Sequence, residues 1–143
     1  MYAGIQCISK KHNLARNLMR MHKAFPNEYD FFPKTWVLPH QATDLRAHCT
    51  HNASISYKNQ VTYIIKPDSL CQGKGIFLSR KIEEILEKTK INEPQGEYYL
   101  ESERMGYVVQ QYIDMPHLID GLKYDLRLYV FLYGLNPLRI FLH

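Results

Sequence analysis

The stretch YIIKPDSLCQGKGIFLSR, residues 63–80, ends an apolar run with one lysine and then places two glycines around another. Branched and aromatic residues on either side predict strands at 61–66 and 75–78, joined by the loop as a hairpin. Glycines let backbone N–H groups approach an anion closely, and Lys66 and Lys74 add positive charge. The residues allow a phosphate-binding loop or a solvated basic turn, and the residues alone favour the turn.

The stretch matches none of the common phosphate motifs. A Walker loop requires glycine where Asp68 stands, and serine or threonine after Lys74, where Gly75 stands. A dinucleotide fingerprint requires a third glycine at the position of Leu78. The strand lysine also precedes the glycines, which is the reverse of the order in protein kinases. A phosphate site here would have a different geometry.

The composition indicates a folded protein. The 143 residues are 45% apolar and 22% charged, as in globular proteins. The three cysteines are odd in number and form no C-x-x-C pair, which favours reduced thiols in the cytosol. Apolar runs are shorter than the roughly 20 residues of a membrane span, and the first residues lack a signal-peptide core. We therefore expect an intracellular protein without a membrane partner.

Positive charge is concentrated in residues 1–27, which contain five Lys or Arg and no Asp or Glu. Helical spacing places Arg16, Arg20 and Lys23 opposite an apolar side, and Pro26 predicts the end of this helix. The basic face is either a solvated surface or a landing surface for an acidic partner.

Further elements follow from local patterns. Branched and aromatic residues predict strands at 35–38, 107–113, 125–133 and 138–142, the last two joined by a tight turn at 134–137. Ser79 is predicted to cap a helix that carries Ile82 and Ile85. Residues 40–60 give weak signals, and residues 88–105 suggest an insertion or surface loop. Helices and strands that mix without regular alternation predict an α+β fold.

Two more segments place polar side chains on predicted strands. In YVVQQYIDMP, Gln110 and Gln111 point to opposite faces, which suits an edge strand or an adenine site. In GLKYDLRLYVFLYG, alternation places Lys123, Asp125 and Arg127 on one face. These charges form either a solvated ion ladder or the charged end of a cleft.

The segments EYDFFPKTWVLP, YIIKPDSLCQGKGIFLSR, VVQQYI and KYDLRLYVFLY with PLRIF, in this order, resemble the tubulin tyrosine ligase-like family, most closely its polyglutamylase branch. The resemblance runs from about Asn13 to Phe141. It implies an ATP-grasp fold, in which two α+β lobes hold ATP and the first lobe covers the phosphates with a glycine hairpin loop. We therefore expect a lead-in with a basic helix at 1–56, a first lobe at 57–109, and a hinge with the start of the second lobe at 110–143.

The resemblance also implies site residues. Lys66 is expected to contact the phosphates of ATP, and Gln72 and Gly73 are expected to lie in the loop that covers them. The hinge that holds adenine is expected to consist of Gln110, Gln111, Tyr112 and Ile113. Lys123 and Asp125 are expected to face the nucleotide from the second lobe. Substrate contacts are expected at Lys74 and Arg127. No catalytic residue is assigned.

The implied activity is ATP-dependent ligation of free glutamate to the acidic tails of tubulin, through an acyl phosphate that yields an isopeptide bond. The implied location is the cytoplasm and cytoskeleton, including the cilium or basal body. Lys74 and Leu70 replace an arginine and a glycine of close relatives, and residues 88–105 exceed the family connection in length. The chain ends before the family's downstream arginine and its Mg²⁺ ligands, so we expect a truncated chain that does not complete the reaction. The alternative is a non-catalytic microtubule-binding or dominant-negative module.

Two other kinds of site have little support. KGIFLSR departs from the RNA-recognition consensus at Ile76, Leu78 and Ser79, so nucleic acid is not an expected partner. The run from His48 to His51 offers three potential metal ligands, but at no recognised zinc spacing.

Overall fold

The computed structural model describes residues 4–53, 60–68, 70, 72–90 and 106–143. Within these ranges the helices are α1 (Gln6–Ser9), α2 (Lys11–Ala24), α3 (Ala42–Ala53) and α4 (Ile82–Lys88). The strands are β1 (Thr35–Leu38), β2 (Tyr63–Pro67), β3 (Phe77–Ser79), β4 (Tyr107–Gln111), β5 (Leu118–Ile119), β6 (Leu122–Lys123), β7 (Val130–Leu135) and β8 (Leu138–Leu142). This mixed content agrees with the predicted α+β class. No helix of the described ranges is long and apolar enough to cross a membrane.

The main sheet has the strand order β1-β4-β2-β3, and every neighbouring pair is antiparallel. The hairpin predicted around the glycines is confirmed, because Tyr63 pairs with Ser79 and Ile65 with Phe77. The sheet combines β1 of the predicted lead-in with β2 and β3 of the predicted first lobe. The division at residues 56 and 109 stays a prediction.

Helices pack on both faces of this sheet. On one face α3 and α4 enclose the larger core, and on the other Val37 and Val108 pack against Ala15 of α2, with Met19 beside them. Complete burial of a large apolar side chain stabilises a fold by about 1.5–3 kcal/mol. The larger core therefore dominates stability, through Leu38, Leu45, Tyr63, Ile65, Ile85, Leu86 and Val109, each less than 2% exposed.

The basic helix is confirmed as α2, which ends at Ala24, two residues before Pro26. The predicted cap of α4 is wrong. α4 begins at Ile82 with Lys81 at the cap position and no side-chain cap bond, while Ser79 is the last residue of β3. The Ser79 hydroxyl accepts a bond from the Lys81 N–H at 3.1 Å and donates one to Glu84 at 2.6 Å. Ser79 thus links the strand to the helix.

Helix α3 lies in the region of weak sequence signal. Its buried residues Leu45 and Cys49 are four positions apart and belong to the larger core, with Trp36 and Tyr63. Two buried positions, among alanines and polar residues, make a weak amphipathic pattern, so packing against the sheet stabilises α3 more than local propensity does.

The last part of the chain forms two small hairpins. β5 pairs with β6, and β7 pairs with β8, which confirms the hairpin predicted near the C-terminus. The predicted strand at 125–133 is wrong over residues 125–129, because β7 begins at Val130. No strand of the described ranges lies beside 124–128, so these backbone groups lack a ladder partner.

Candidate functional site

Lys66 lies near the end of β2, on the face that α2 covers. Its pairing with Val108 places both side chains on that face. The Lys66 ammonium donates a hydrogen bond to Gln110 Oε1 at 2.9 Å, and Gln110 Nε2 donates one to Thr35 Oγ1 at 3.0 Å. A row of three side chains therefore crosses β2, β4 and β1 and fixes the position of the ammonium group.

The Lys66 ammonium is a partly buried charge. Burial lowers its pKa below the ordinary value, and the nearby charge of Lys11 lowers it further. Acid–base contacts among the described residues include His12 with Asp68 and Lys88 with Glu84, and neither of them involves Lys66. A bound anion would favour the charged form and raise this pKa again.

Lys66 and Gln110 line a cavity of about 230 Å³. Lys11 and Thr35 also line it, and apolar residues of α2 close one side. Sites for whole drug-sized ligands occupy about 300–1,000 Å³. The cavity suits a group of phosphate size better than a complete nucleotide.

The glycine loop has a left-handed backbone at three of its residues. The φ angles are +56° at Gln72, +75° at Gly73 and +70° at Gly75. A side chain on Gly75 would begin 2.9 Å from Pro67 Cγ, whereas nothing lies within 4 Å of the same position on Gly73. Gly75 is therefore required by conformation and by packing, and Gly73 by conformation alone.

The first turn of α2 contacts the segment between β2 and the glycines. Lys11 Nζ donates to the carbonyl oxygens of Pro67 at 3.1 Å and Leu70 at 2.9 Å. The His12 N–H donates to Asp68 Oδ1 at 3.1 Å, and His12 Nδ1 lies 2.5 Å from Asp68 Oδ2. The sequence pattern gives no signal for these contacts, because the partners are more than 50 residues apart.

The hinge candidates occupy the end of β4 and the residues after it. Pairing in the sheet places Gln110 and Gln111 on opposite faces, as predicted. The Tyr112 N–H donates to the Thr62 carbonyl at 2.8 Å, and Tyr112 lines a second cavity, of about 600 Å³. Ile113 is 60% exposed.

The remaining candidates are not hydrogen-bonded to Lys66 in the described part of the chain, where its partner is Gln110. Lys123 Nζ is 5.9 Å from the centre of the Tyr112 ring, which places it beside one of the hinge candidates. Gln72, Lys74, Asp125 and Arg127 are exposed. No hydrogen bond or ion pair between described residues joins Asp125 or Arg127 to the loop. Since 124–129 is not a strand, the predicted common face of Lys123, Asp125 and Arg127 is not set by a sheet.

Of the three potential metal ligands in the run from His48 to His51, Cys49 is buried in the larger core, His48 is half-buried and His51 is exposed. His48 Nδ1 and Asn52 Nδ2 each lie 2.9 Å from the Tyr63 hydroxyl, and the His48 ring centre lies 4.7 Å from that of Trp36, with the two rings tilted. Burial lowers the pKa of His48, with further effects of Lys34 and His51. In the part of the chain that the structure describes, no group of three or more His, Cys, Asp or Glu is placed to hold a metal ion.

Comparison with known proteins agrees with the resemblance carried by the four segments. The chain is 44% identical over 142 residues to human "Tubulin polyglutamylase TTLL6", covering 99% of this chain and 14% of the relative. It is 42% identical over 142 residues to the "Probable beta-tubulin polyglutamylase" of Tetrahymena thermophila and to "Tubulin polyglutamylase TTLL13" of the mouse. Each match covers 99% of this chain, but 10% and 15% of those relatives. The model of the "Tubulin-tyrosine ligase family" matches residues 1–143, and the chain therefore belongs to that family.

Proposed function

We propose that this chain is the nucleotide-binding part of an ATP-dependent ligase that adds glutamate to tubulin. Membership of the family and the polyglutamylase names of its relatives support the class of reaction. The observation that carries the proposal is Lys66, a partly buried cation beside a glycine loop, oriented by Gln110 and without an ion-pair partner among the described residues.

In this proposal the fold is of the ATP-grasp type, and Lys66 donates to a phosphate oxygen of ATP. A hydrogen bond between charged groups contributes about 1.5–3 kcal/mol. Gln72 and Gly73 lie in the loop that covers the phosphates. Lys123 approaches the nucleotide from the second lobe, together with Asp125. Adenine is held at the hinge of Gln110, Gln111, Tyr112 and Ile113.

The proposed reaction has two steps. A glutamate carboxylate of the substrate attacks the γ-phosphorus of ATP, ADP leaves, and an acyl phosphate forms. The amine of free glutamate then attacks the acyl carbon, phosphate leaves, and the nitrogen loses a proton as the isopeptide bond forms. Fixed cations such as Lys66 stabilise the negative charge that develops on the phosphoryl group.

A magnesium ion accompanies ATP in phosphoryl transfer and would neutralise part of the phosphate charge. The described residues of this chain do not form a set of ligands for it. In the proposed reaction the residues of this chain act by binding, orientation and charge.

The proposed macromolecular partner is the acidic tail of tubulin, at the cytoskeleton of the cytoplasm. Arg16, Arg20 and Lys23 of α2 are exposed and form a cationic surface of the kind that attracts acidic peptides. The substrate contacts proposed at Lys74 and Arg127 are exposed as well. Neither a nucleic acid nor a membrane is a proposed partner.

The same cationic surface favours the second candidate function, a module that binds microtubules without turnover. Two measurements separate the candidates: isothermal titration of the chain with ATP, and co-sedimentation of the chain with microtubules. ATP binding that weakens in Lys66→Met supports the ligase. ATP-independent co-sedimentation with microtubules, lost after removal of the acidic tails and without ATP binding, supports the binding module. Absence of ATP binding would refute the ligase proposal.

A further inference from the structure

The first residues of α2 and the first residues of the glycine loop form hydrogen bonds with each other. α2 has no side-chain cap of its own and no acidic residue in its first turn, so its first N–H groups lack local partners. Asp68 supplies an acceptor to the His12 N–H from 56 residues away, where a carboxylate also favours the positive end of the helix dipole.

Lys11 makes the reciprocal contacts. Its three N–H donors match the three carbonyl oxygens around it, those of Pro67 at 3.1 Å, Asp68 at 3.5 Å and Leu70 at 2.9 Å. Lys11 therefore holds the backbone of Pro67, Asp68 and Leu70, and His12 holds the Asp68 side chain.

This arrangement reaches the glycine turn through Pro67 and Leu70. A Cβ on Gly75 would lie 2.9 Å from Pro67 Cγ and 3.1 Å from Leu70 Cδ1, so both residues pack against the backbone of Gly75. They are also the residues whose carbonyl groups Lys11 binds most closely. Lys11 thus restrains the surface on which the turn rests.

We propose that Lys11, together with the His12–Asp68 pair, positions the glycine loop for the nucleotide. Lys11 acts as a positioning residue, because its ammonium group is occupied by three carbonyl oxygens. The inference rests on the proposed function for the role of ATP, although the restraint on the loop exists without a ligand.

Hydrogen–deuterium exchange of the whole chain without nucleotide tests the restraint. Lys11→Met keeps most of the stem and removes the donors, and Lys10→Met removes the same charge from the exposed preceding residue. We expect peptide 72–79 to exchange about five- to tenfold faster in Lys11→Met than in Lys10→Met, with α4 unchanged in both. ATP affinity should fall about five- to tenfold in Lys11→Met, with little change in Lys10→Met.

A second variant tests the same restraint if Lys11→Met is partly unfolded at the temperature of the assay. Asp68→Asn retains an acceptor for the His12 N–H but removes the charge, and it should accelerate exchange of peptide 72–79 in the same way. Equal exchange of that peptide in both variants and in Lys10→Met would overturn the inference. Unchanged ATP affinity in Lys66→Met would instead overturn the proposed function and leave the exchange result standing.

Discussion

Replacement of Lys66 by methionine tests the proposed phosphate contact most directly. Methionine preserves an unbranched apolar side chain and removes all three donors. The lost bond to a phosphate oxygen corresponds to about 1.5–3 kcal/mol, or about a 10- to 150-fold weaker affinity for ATP at 25 °C. In the wild-type protein the partly buried Lys66 ammonium carries a cost of burial, and a bound phosphate offsets that cost. The methionine variant has no charge at this position and gains nothing in this way.

The stability of the fold should change much less than the affinity. Lys66→Met leaves Gln110 Oε1 without its donor, at a cost of about 1 kcal/mol, but it also removes a partly buried charge. Isothermal titration with ATP measures the affinity, and thermal unfolding without ATP measures the stability. An affinity within twofold of that of Lys10→Met, at unchanged melting temperature, would refute the phosphate contact.

Three other predictions concern the loop and the core. Gly75→Ala should lower the free energy of unfolding by at least about 1 kcal/mol more than Gly73→Ala, because only the first adds a clash to the left-handed strain, and thermal melts of both variants measure the difference. Tyr63→Phe should cost about 1–3 kcal/mol in urea unfolding, because His48 and Asn52 lose their buried partner. The exposed contact of Tyr124 with His117 makes Tyr124→Phe the matched control, with a change within about 0.5 kcal/mol. Burial lowers the pKa of His48 in the folded protein, so as the pH falls the unfolded chain binds a proton at this histidine first. The free energy of unfolding should therefore decrease as the pH falls from about 6.5 through the lowered pKa. A wild-type urea series from pH 7.5 to pH 5 that runs parallel to that of His48→Gln would contradict this.

The hairpin and the strands around it are predictable because their signals are local. Glycines flank Lys74 between branched residues, and β1 lies within a short apolar run before Pro39. Helix α3 is not predictable in this way, since Leu45 and Cys49 gain their stabilisation from the sheet. Residues 124–128 show the opposite error, because a strand-like composition forms no strand without a neighbour to pair with.

The candidate site is also only partly predictable from the sequence. Lys66 and Gln110 are each predicted as site residues, but their 2.9 Å contact depends on the register of β2 against β4. In the sequence, Asp68 is notable only because it stands where a Walker loop requires glycine. Its bond to the His12 N–H follows from the packing of α2. Contacts between distant segments of this kind are set by the packed structure, not by any local spacing.

The central position of β4 has a consequence for how the family can vary in length. Each face of β4 has its own packing partners. Val109 lies in the larger core, and Val108 and Gln110 lie on the face that α2 covers. A slip of one residue would exchange these faces, burying a polar side chain and withdrawing the partner of Lys66. We therefore expect homologues with longer or shorter connections between α4 and β4 to keep the same residues of β4 opposite β2.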